Sequence, residues 1–146
     1  MTATIAPARA NDLPDILALL KASGLPQARL GDHLRTTLVV RDDGKLLGCA
    51  ALELYGRAAL LRSVAVAATA RGQGLGQRLT AAALELARER SVRKVYLLTE
   101  TAGDFFPRFG FRPITRAEVE PAVQRSVEFT TACPTSALVM AAELGG

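Results

Sequence analysis

Apolar side chains recur along the chain at spacings of two in some segments and of three to four in others, which divides it into short strands and two principal helices. Thr4 to Arg9 reads as a first strand. Leu13, Ile16, Leu17 and Leu20 then line one helical face, with Asp12 placed to cap the helix and Pro14 tolerated in its first turn. Gly24 and Pro26 end that helix, and the connection from Leu25 to Arg35 has room for a second short one. Strands over Thr36 to Arg41 and Lys45 to Tyr55 flank Asp43-Gly44, a dipeptide suited to a tight hairpin turn. Gly56-Arg57 makes another turn into the apolar strand Ala58 to Val66.

Leu79, Ala82, Ala83 and Leu86 form the core stripe of a helix reaching about Arg90, and Lys94 to Thr99 is the next strand. Right-handed crossover makes the strands on either side of this helix parallel. Thr101 to Phe109 is a short segment, apolar on one side, that breaks at Gly110 before a strand from Phe111 to Ile114. Thr115 to Phe129 reads as a helix or lid interrupted by Pro121, and Ser136 to Ala142 as a closing strand. With no internal repeat, low-complexity stretch or linker, the 146 residues are expected to form one domain, 1–146.

Composition narrows the function classes. Hydrophobic residues make up 49% of the chain, yet none of its apolar runs approaches the roughly 20 residues that cross a bilayer, and the N-terminus lacks a signal-peptide pattern. A soluble, cytoplasmic protein without a membrane partner is expected. Cys49 and Cys133 have neither metal-ligand nor disulfide-framework spacing, and the single histidine, His33, excludes a His-rich site, so free thiols and no metal are expected. The net charge of +4 comes from arginines scattered from Arg9 to Arg125 without clustered aromatics, which argues against nucleic acid. A diffuse positive potential would steer a polyanionic cofactor, although a solvated arginine-rich surface accounts for it equally.

The run Arg71-Gly72-Gln73-Gly74-Leu75-Gly76 joins the strand Leu60 to Val66 to the following helix. Such a junction suits phosphate, because first-turn N–H groups lack intrahelical partners and the helix dipole adds positive potential. A dinucleotide-binding turn would need glycine where the chain has Gln77, and a P-loop would need Lys-Ser/Thr entering the helix. Neither is present. A ligand-free β-to-α turn remains the plain alternative.

Arg62-Ser63-Val64-Ala65-Val66 before this loop, the Arg-x-x-Gly-x-Gly of the loop, and Leu97-Leu98-Thr99-Glu100-Thr101-Ala102-x-x-Phe105-Phe106-x-x-x-Gly110-Phe111 after it resemble the GCN5-related N-acetyltransferase (GNAT) superfamily over almost the whole chain. The resemblance implies an α/β (α+β) fold with a central mixed, mostly antiparallel sheet and a splayed parallel βαβ cleft. It also implies acetyl-coenzyme A as cosubstrate and, often, a homodimer. The same motifs are similar to the acetyltransferase module of N-acetylglutamate synthases, which points to amino-acid acetylation. Glu128-Phe129 and Cys133-Pro134-x-Ser136-Ala137 look like acetyltransferases of bacterial arsenic-resistance operons, which would make an arsenic-containing amino-acid analogue one possible acceptor. Glutamate-acetylating relatives have Arg-x-Ser before the last strand, where this chain has Pro134-Thr135-Ser136; the substrate-binding serine is retained and the arginine is lost.

Acetyl transfer depends above all on holding amine and thioester together, which can supply roughly 7 to 11 kcal/mol of the barrier. On the resemblance, backbone groups of Val64, Ala65 and Val66 would align the pantetheine arm, with an N–H near Val64 facing the thioester oxygen. Arg71, Gly72, Gln73, Gly74, Leu75 and Gly76 would hold the pyrophosphate. Leu47, Cys49, Ala51, Glu53 and Tyr55 share a strand face, so Glu53 is a candidate general base, with an ordinary exposed strand glutamate as the alternative. Glu100 is a second candidate. Phe106 occupies the position at which many relatives carry a tyrosine that protonates the thiolate. Arg62 alternates with Leu60 and Val64 inside an apolar strand and needs an anionic partner, either a substrate carboxylate or an internal acid such as Glu53. Cys133 reads as a small packing residue, with a role toward arsenic as the alternative. Two functions follow: an N-acetyltransferase acting on a small amino-acid-like amine, or a non-catalytic acyl-coenzyme A sensor or interaction module. Protein acetylation is a third.

Overall fold

Strands β1 (Thr4–Pro7), β2 (Thr37–Asp42), β3 (Lys45–Tyr55), β4 (Ala58–Val66), β5 (Lys94–Thr99), β6 (Arg112–Ile114) and β7 (Leu138–Glu143) build one sheet in the computed structural model, which describes residues 4–132 and 136–144. Their order is β1-β2-β3-β4-β5-β7-β6, and every neighbouring pair is antiparallel except β4 with β5. The helices α1 (Leu13–Ala22) and α2 (Leu75–Glu89) flank it. Asp43 and Gly44 both have positive φ, 50° and 76°, the left-handed pair that closes a two-residue β2–β3 hairpin without splaying its strands.

Several element ends differ from the sequence expectation, each for a local reason. β1 is assigned to Pro7; the Ala8 N–H still donates to the Thr37 carbonyl at 2.8 Å, and beyond it the Arg9 N–H turns to the Asp12 carboxylate at 2.8 Å. Asp12 therefore does not cap α1; it also accepts from Arg41 Nε at 3.0 Å and Nη2 at 2.7 Å. The Leu25 to Arg35 connection carries a 3-10 segment, Leu30–Thr36. Only Phe106–Phe109 is helical within Thr101 to Phe109. Thr115 to Phe129 is broken into 3-10 turns at Arg116–Glu118 and Val123–Arg125, followed by a π-helical turn at Glu128–Ala132.

The two faces of the sheet are covered differently. α2 lays Leu75, Leu79, Ala83 and Ala87 against Val40, Leu52, Leu61 and Leu97, with Phe106 and Phe111 closing the far end. On the opposite face, α1 and the Leu30 segment cover Val39, Cys49, Ala51 and Ala65. A separate patch, Leu60, Tyr96, Val139 and Ala141, lies under Val119 and Val123. Glu53 and Arg62 come from the strand positions between these two apolar patches. That seam carries the buried charge of the molecule's candidate site.

Candidate functional site

The parallel pairing of β4 with β5 is short. It runs from Ala58 opposite Lys94 to Leu60 opposite Tyr96 and stops there, so the rest of both strands diverges. Between them opens a cleft of about 460 Å³, lined by residues 23–26, 61–66, Arg71, 97–102, Phe106, Glu128 and Ala137. β4 also carries a bulge. Cys49 pairs with Ala65 and Ala51 with Arg62, leaving three steps on β4 against two on β3. Ser63 sits in this bulge at φ 61°, a left-handed conformation uncommon for a residue with a side chain. The bulge reverses the alternation: Val64 and Val66 pack on the α2 face, whereas Ala65 joins the α1 face. Val64 therefore does not share the face of Leu60 and Arg62, contrary to a continuous-strand reading.

Arg62 makes four hydrogen bonds within the protein. Nη1 donates to Glu53 Oε2 at 2.9 Å and to the Ala28 carbonyl at 2.8 Å, Nη2 to the Pro26 carbonyl at 3.2 Å, and Nε to Ser63 Oγ at 3.1 Å. Glu128 Oε2 lies 3.4 Å from Nε on the other side. The side chain is wholly covered, so the carboxylates offset a desolvation that nothing else in an apolar strand would. Of the two partners offered by the sequence for Arg62, the structure provides the internal acid.

Glu53 is placed behind Arg62 rather than in the cleft. It lines a second cavity of about 500 Å³, together with Arg29, Asp32, His33, Tyr55, Arg125 and residues 126–127 and Thr130. Its oxygens are occupied: Oε1 accepts from Tyr55 Oη at 2.5 Å, and Oε2 accepts from Arg62, with His33 Nε2 3.6 Å away. Burial pushes this carboxyl upward, but hydrogen bonds from Ser126, Tyr55 and Arg62 outweigh burial and hold it below the ordinary carboxylate value. A carboxylate stabilised in this way is a weaker proton acceptor than a free one, which weighs against Glu53 as the base. The same carboxylate, with burial as the larger cause, pushes Tyr55 up to about 12. Burial pushes His33 below its usual value, against the pull of Glu53.

The glycine run forms as the junction between β4 and α2. Gly72 and Gly74 have φ 83° and 77°, and Gly74 is the residue from which α2 starts. The first helical bond runs from Arg78 N–H to the Gly74 carbonyl, so the N–H groups of 75–77 precede the intrahelical ladder. Arg71 donates through Nε to the Val66 carbonyl at 3.2 Å and lines the cleft. Gly72, Gln73 and Gly74 are exposed. Leu75 is buried in the α2 core, so only its backbone can serve a ligand.

A family model for the acetyltransferase (GNAT) domain matches residues 33–113. The chain belongs to the GNAT family. This GNAT domain is 30% identical to an amino-acid acetyltransferase of Neisseria meningitidis over 125 residues, covering 80% of the chain and 29% of the relative. It thus spans less than a third of that relative's length. Its fold matches an N-acetylglutamate synthase from Neisseria gonorrhoeae, solved with coenzyme A and N-acetyl-glutamate, at a TM-score of 0.85 and 24% identity, over 100% of this chain and 36% of the other. A Mycobacterium tuberculosis protein solved with CoA matches at a TM-score of 0.81 and 25% identity, over 96% and 98%.

Within the GNAT domain, Val64, Ala65, Val66 and Phe106 line the cleft, and Phe106 packs edge-on against Phe105 and Phe111. Ser136 is exposed and lies outside the lining, where its neighbour Ala137 takes part. Glu100 lines the rim and is exposed. Cys49 is buried, and Cys133 lies outside the described residues. Sequence reasoning missed Glu128 and Ser63 as individual site residues. Ser63 reads as one more strand position, and Glu128 lies in a segment that reads as a helix or lid; both stand in motifs of the family resemblance, but neither carries a sequence signal of its burial in the cleft wall. Among the described residues, no helix is long and apolar enough to cross a membrane.

Proposed function

We propose that the chain catalyses transfer of the acetyl group from acetyl-coenzyme A to the amine of a small amino-acid-like acceptor. The observation that carries this reading is the parting of β4 from β5 after Leu60 and Tyr96, which leaves the bulged strand 61–66 facing an open cleft beside the start of α2. An extended pantetheine arm laid along 64–66 would find unpaired strand backbone there, and the pyrophosphate would meet the N–H groups at the α2 start. The acceptor nitrogen attacks the thioester carbonyl, a backbone N–H near Val64 stabilises the oxyanion, and collapse breaks the C–S bond. The proton lost by nitrogen ends on the departing sulfur. Phe106 brings no phenol to that step, so water, or the solvation of the cofactor's own sulfur, serves there. Positioning supplies most of the rate.

The amino-acid character of the acceptor is supported by the similarity to amino-acid acetyltransferases. The test is thiol release from acetyl-coenzyme A against a panel of L-amino acids, their amides and arsenic-containing analogues, with mass spectrometry of the product. Acceptor-dependent release with an N-acetylated product is expected. Coenzyme A binding without turnover on any acceptor, accompanied by a ligand-dependent change of state, would favour a sensor instead.

A further inference from the structure

Ser63 holds a left-handed backbone conformation that a residue with a side chain keeps only where its surroundings impose it, and two side chains do so here. Arg62 Nε donates to Ser63 Oγ at 3.1 Å, and Cys49 Sγ, reaching across from β3, donates to the Ser63 carbonyl at 3.2 Å. Cys49 is fully buried with Val39, Ala51 and Ala65, among which an alanine or a valine would fill space without offering a donor. Burial keeps its thiol protonated, so the S–H remains available to the carbonyl.

The carbonyl that Cys49 holds is one end of the peptide joining Ser63 to Val64. In a trans peptide the C=O and the N–H leave on opposite edges, and among the described residues no peptide bond is cis. A Ser63 carbonyl drawn toward Cys49 therefore turns the Val64 N–H away from Cys49, toward the cleft that Ser63 and Val64 line. An oxyanion donor is effective when it is aimed before the charge forms, and a hydrogen bond received by the carbonyl strengthens the N–H at the other end of the same amide. We propose that Cys49 is a positioning residue for acetyl transfer, its S–H fixing the Ser63–Val64 peptide so that the Val64 N–H points at the thioester oxygen. This inference rests on the acetyl-transfer reading and deepens it, because it gives the oxyanion donor a side chain that sets its direction. The thiol itself makes no bond to substrate or cofactor.

The thioester carbonyl of bound acetyl-coenzyme A reports on that N–H without any acceptor. Isotope-edited infrared spectra of acetyl-coenzyme A labelled at its carbonyl carbon should show the band moving to lower frequency on binding to the parent. In Cys49→Ala it should return toward the free position, and in Cys49→Ser, whose hydroxyl replaces the donor, it should move down again. With the L-amino acid that gives the highest rate as acceptor, Cys49→Ala should lower kcat roughly threefold to tenfold, the scale of one neutral hydrogen bond, while the KM for acetyl-coenzyme A stays within about twofold. A band or a kcat left at the parental value in Cys49→Ala overturns the proposal. So does a loss that Cys49→Ser fails to recover, since packing alone would then account for it. Should Cys49→Ala not fold, the Cys133→Ser protein, in which Cys49 is the remaining cysteine, supplies a second measurement. Its Raman S–H band should lie below that of a thiol in an apolar solvent, and a band at the unbonded position overturns the proposal. A parent that binds acetyl-coenzyme A without any band shift overturns the oxyanion donor at Val64, and this proposal with it. A parent that binds no acetyl-coenzyme A, or turns over no acceptor, overturns the acetyl-transfer reading itself.

Discussion

Arg62 and Glu53 form an ion pair sealed within the protein, with 2.9 Å between Nη1 and Oε2, a wholly covered guanidinium and a carboxylate side chain only 1% exposed. The pair fills the seam between two apolar patches on one face of the sheet, where cutting either partner strands a charge. Removing one member of such a pair costs about 3 to 5 kcal/mol. Arg62→Ala is accordingly expected to lose stability on that scale, seen as a lower denaturant midpoint. Arg62→Lys should recover little, since one ammonium cannot bond Glu53, Ser63 and the carbonyls of Pro26 and Ala28 together. A stable Arg62→Ala protein that loses turnover only on carboxylate acceptors would return Arg62 to direct substrate recognition.

The same pair sets an acid limit. Glu53 is held below its ordinary value in the folded protein and regains that value on unfolding, so as pH falls the unfolded chain binds the proton first. Its stabilisation is complete above the ordinary carboxylate range, about pH 4.3, and is lost as pH drops through the folded value. Asp12, lowered chiefly by the Arg9 N–H and further by Arg41 against the effect of burial, behaves with the same sign. Urea unfolding at a series of pH values should therefore show stability falling on acidification, with a flatter fall in Glu53→Gln. An identical slope in parent and Glu53→Gln would contradict the assignment.

The strands and α2 were legible because their apolar spacing is local: β3, β4 and β5 fall at the sequence-read bounds. The glycine run was legible because turn chemistry is local too. What escaped depends on long-range geometry. The bulge at Ser63 requires three steps of β4 to meet two of β3, a mismatch that Arg-Ser-Val-Ala-Val does not announce, and it moves Val64 to the opposite face. Glu53 was correctly placed on one strand face with Cys49 and Ala51, but which space that face bounds is decided by Arg62 lying in front of it. Glu128 reaches the cleft through the tertiary folding of a segment that reads as a helix or lid and is broken into short turns.

Cys49 should be chemically silent in the folded protein. Its residue is 0% exposed, Sγ donates to the Ser63 carbonyl at 3.2 Å, and burial pushes its thiol up to about 12. At pH 8 that leaves a thiolate fraction on the order of 10⁻⁴. In a Cys133→Ser background, iodoacetamide at pH 8 should leave the native protein unmodified and label it fully in urea. Rapid native labelling would mean that the sheet face beneath α1 opens readily. The same burial argues that Cys49 takes no part in binding trivalent arsenicals to the folded chain.

The start of α2 separates folding from cofactor binding at two glycines. Gly74 is at φ 77°, so Gly74→Ala forces a left-handed alanine and should cost about 1 kcal/mol of stability by itself. Gly76 lies within the first turn, and an added Cβ there would stand 3.7 Å from Phe105 Cζ and Val66 Cγ2, ordinary contact distances. Gly76→Ala should therefore fold at least as stably as the parent, with up to about 1 kcal/mol gained from helix propensity. If pyrophosphate approaches the backbone at this turn, the new methyl stands in its way. The expected result is a raised melting temperature together with coenzyme A affinity reduced by about tenfold, read by calorimetry. Parental affinity in Gly76→Ala would place the pyrophosphate away from the α2 start, whereas a loss of both stability and affinity would mean that the methyl disturbs the Phe105 packing instead.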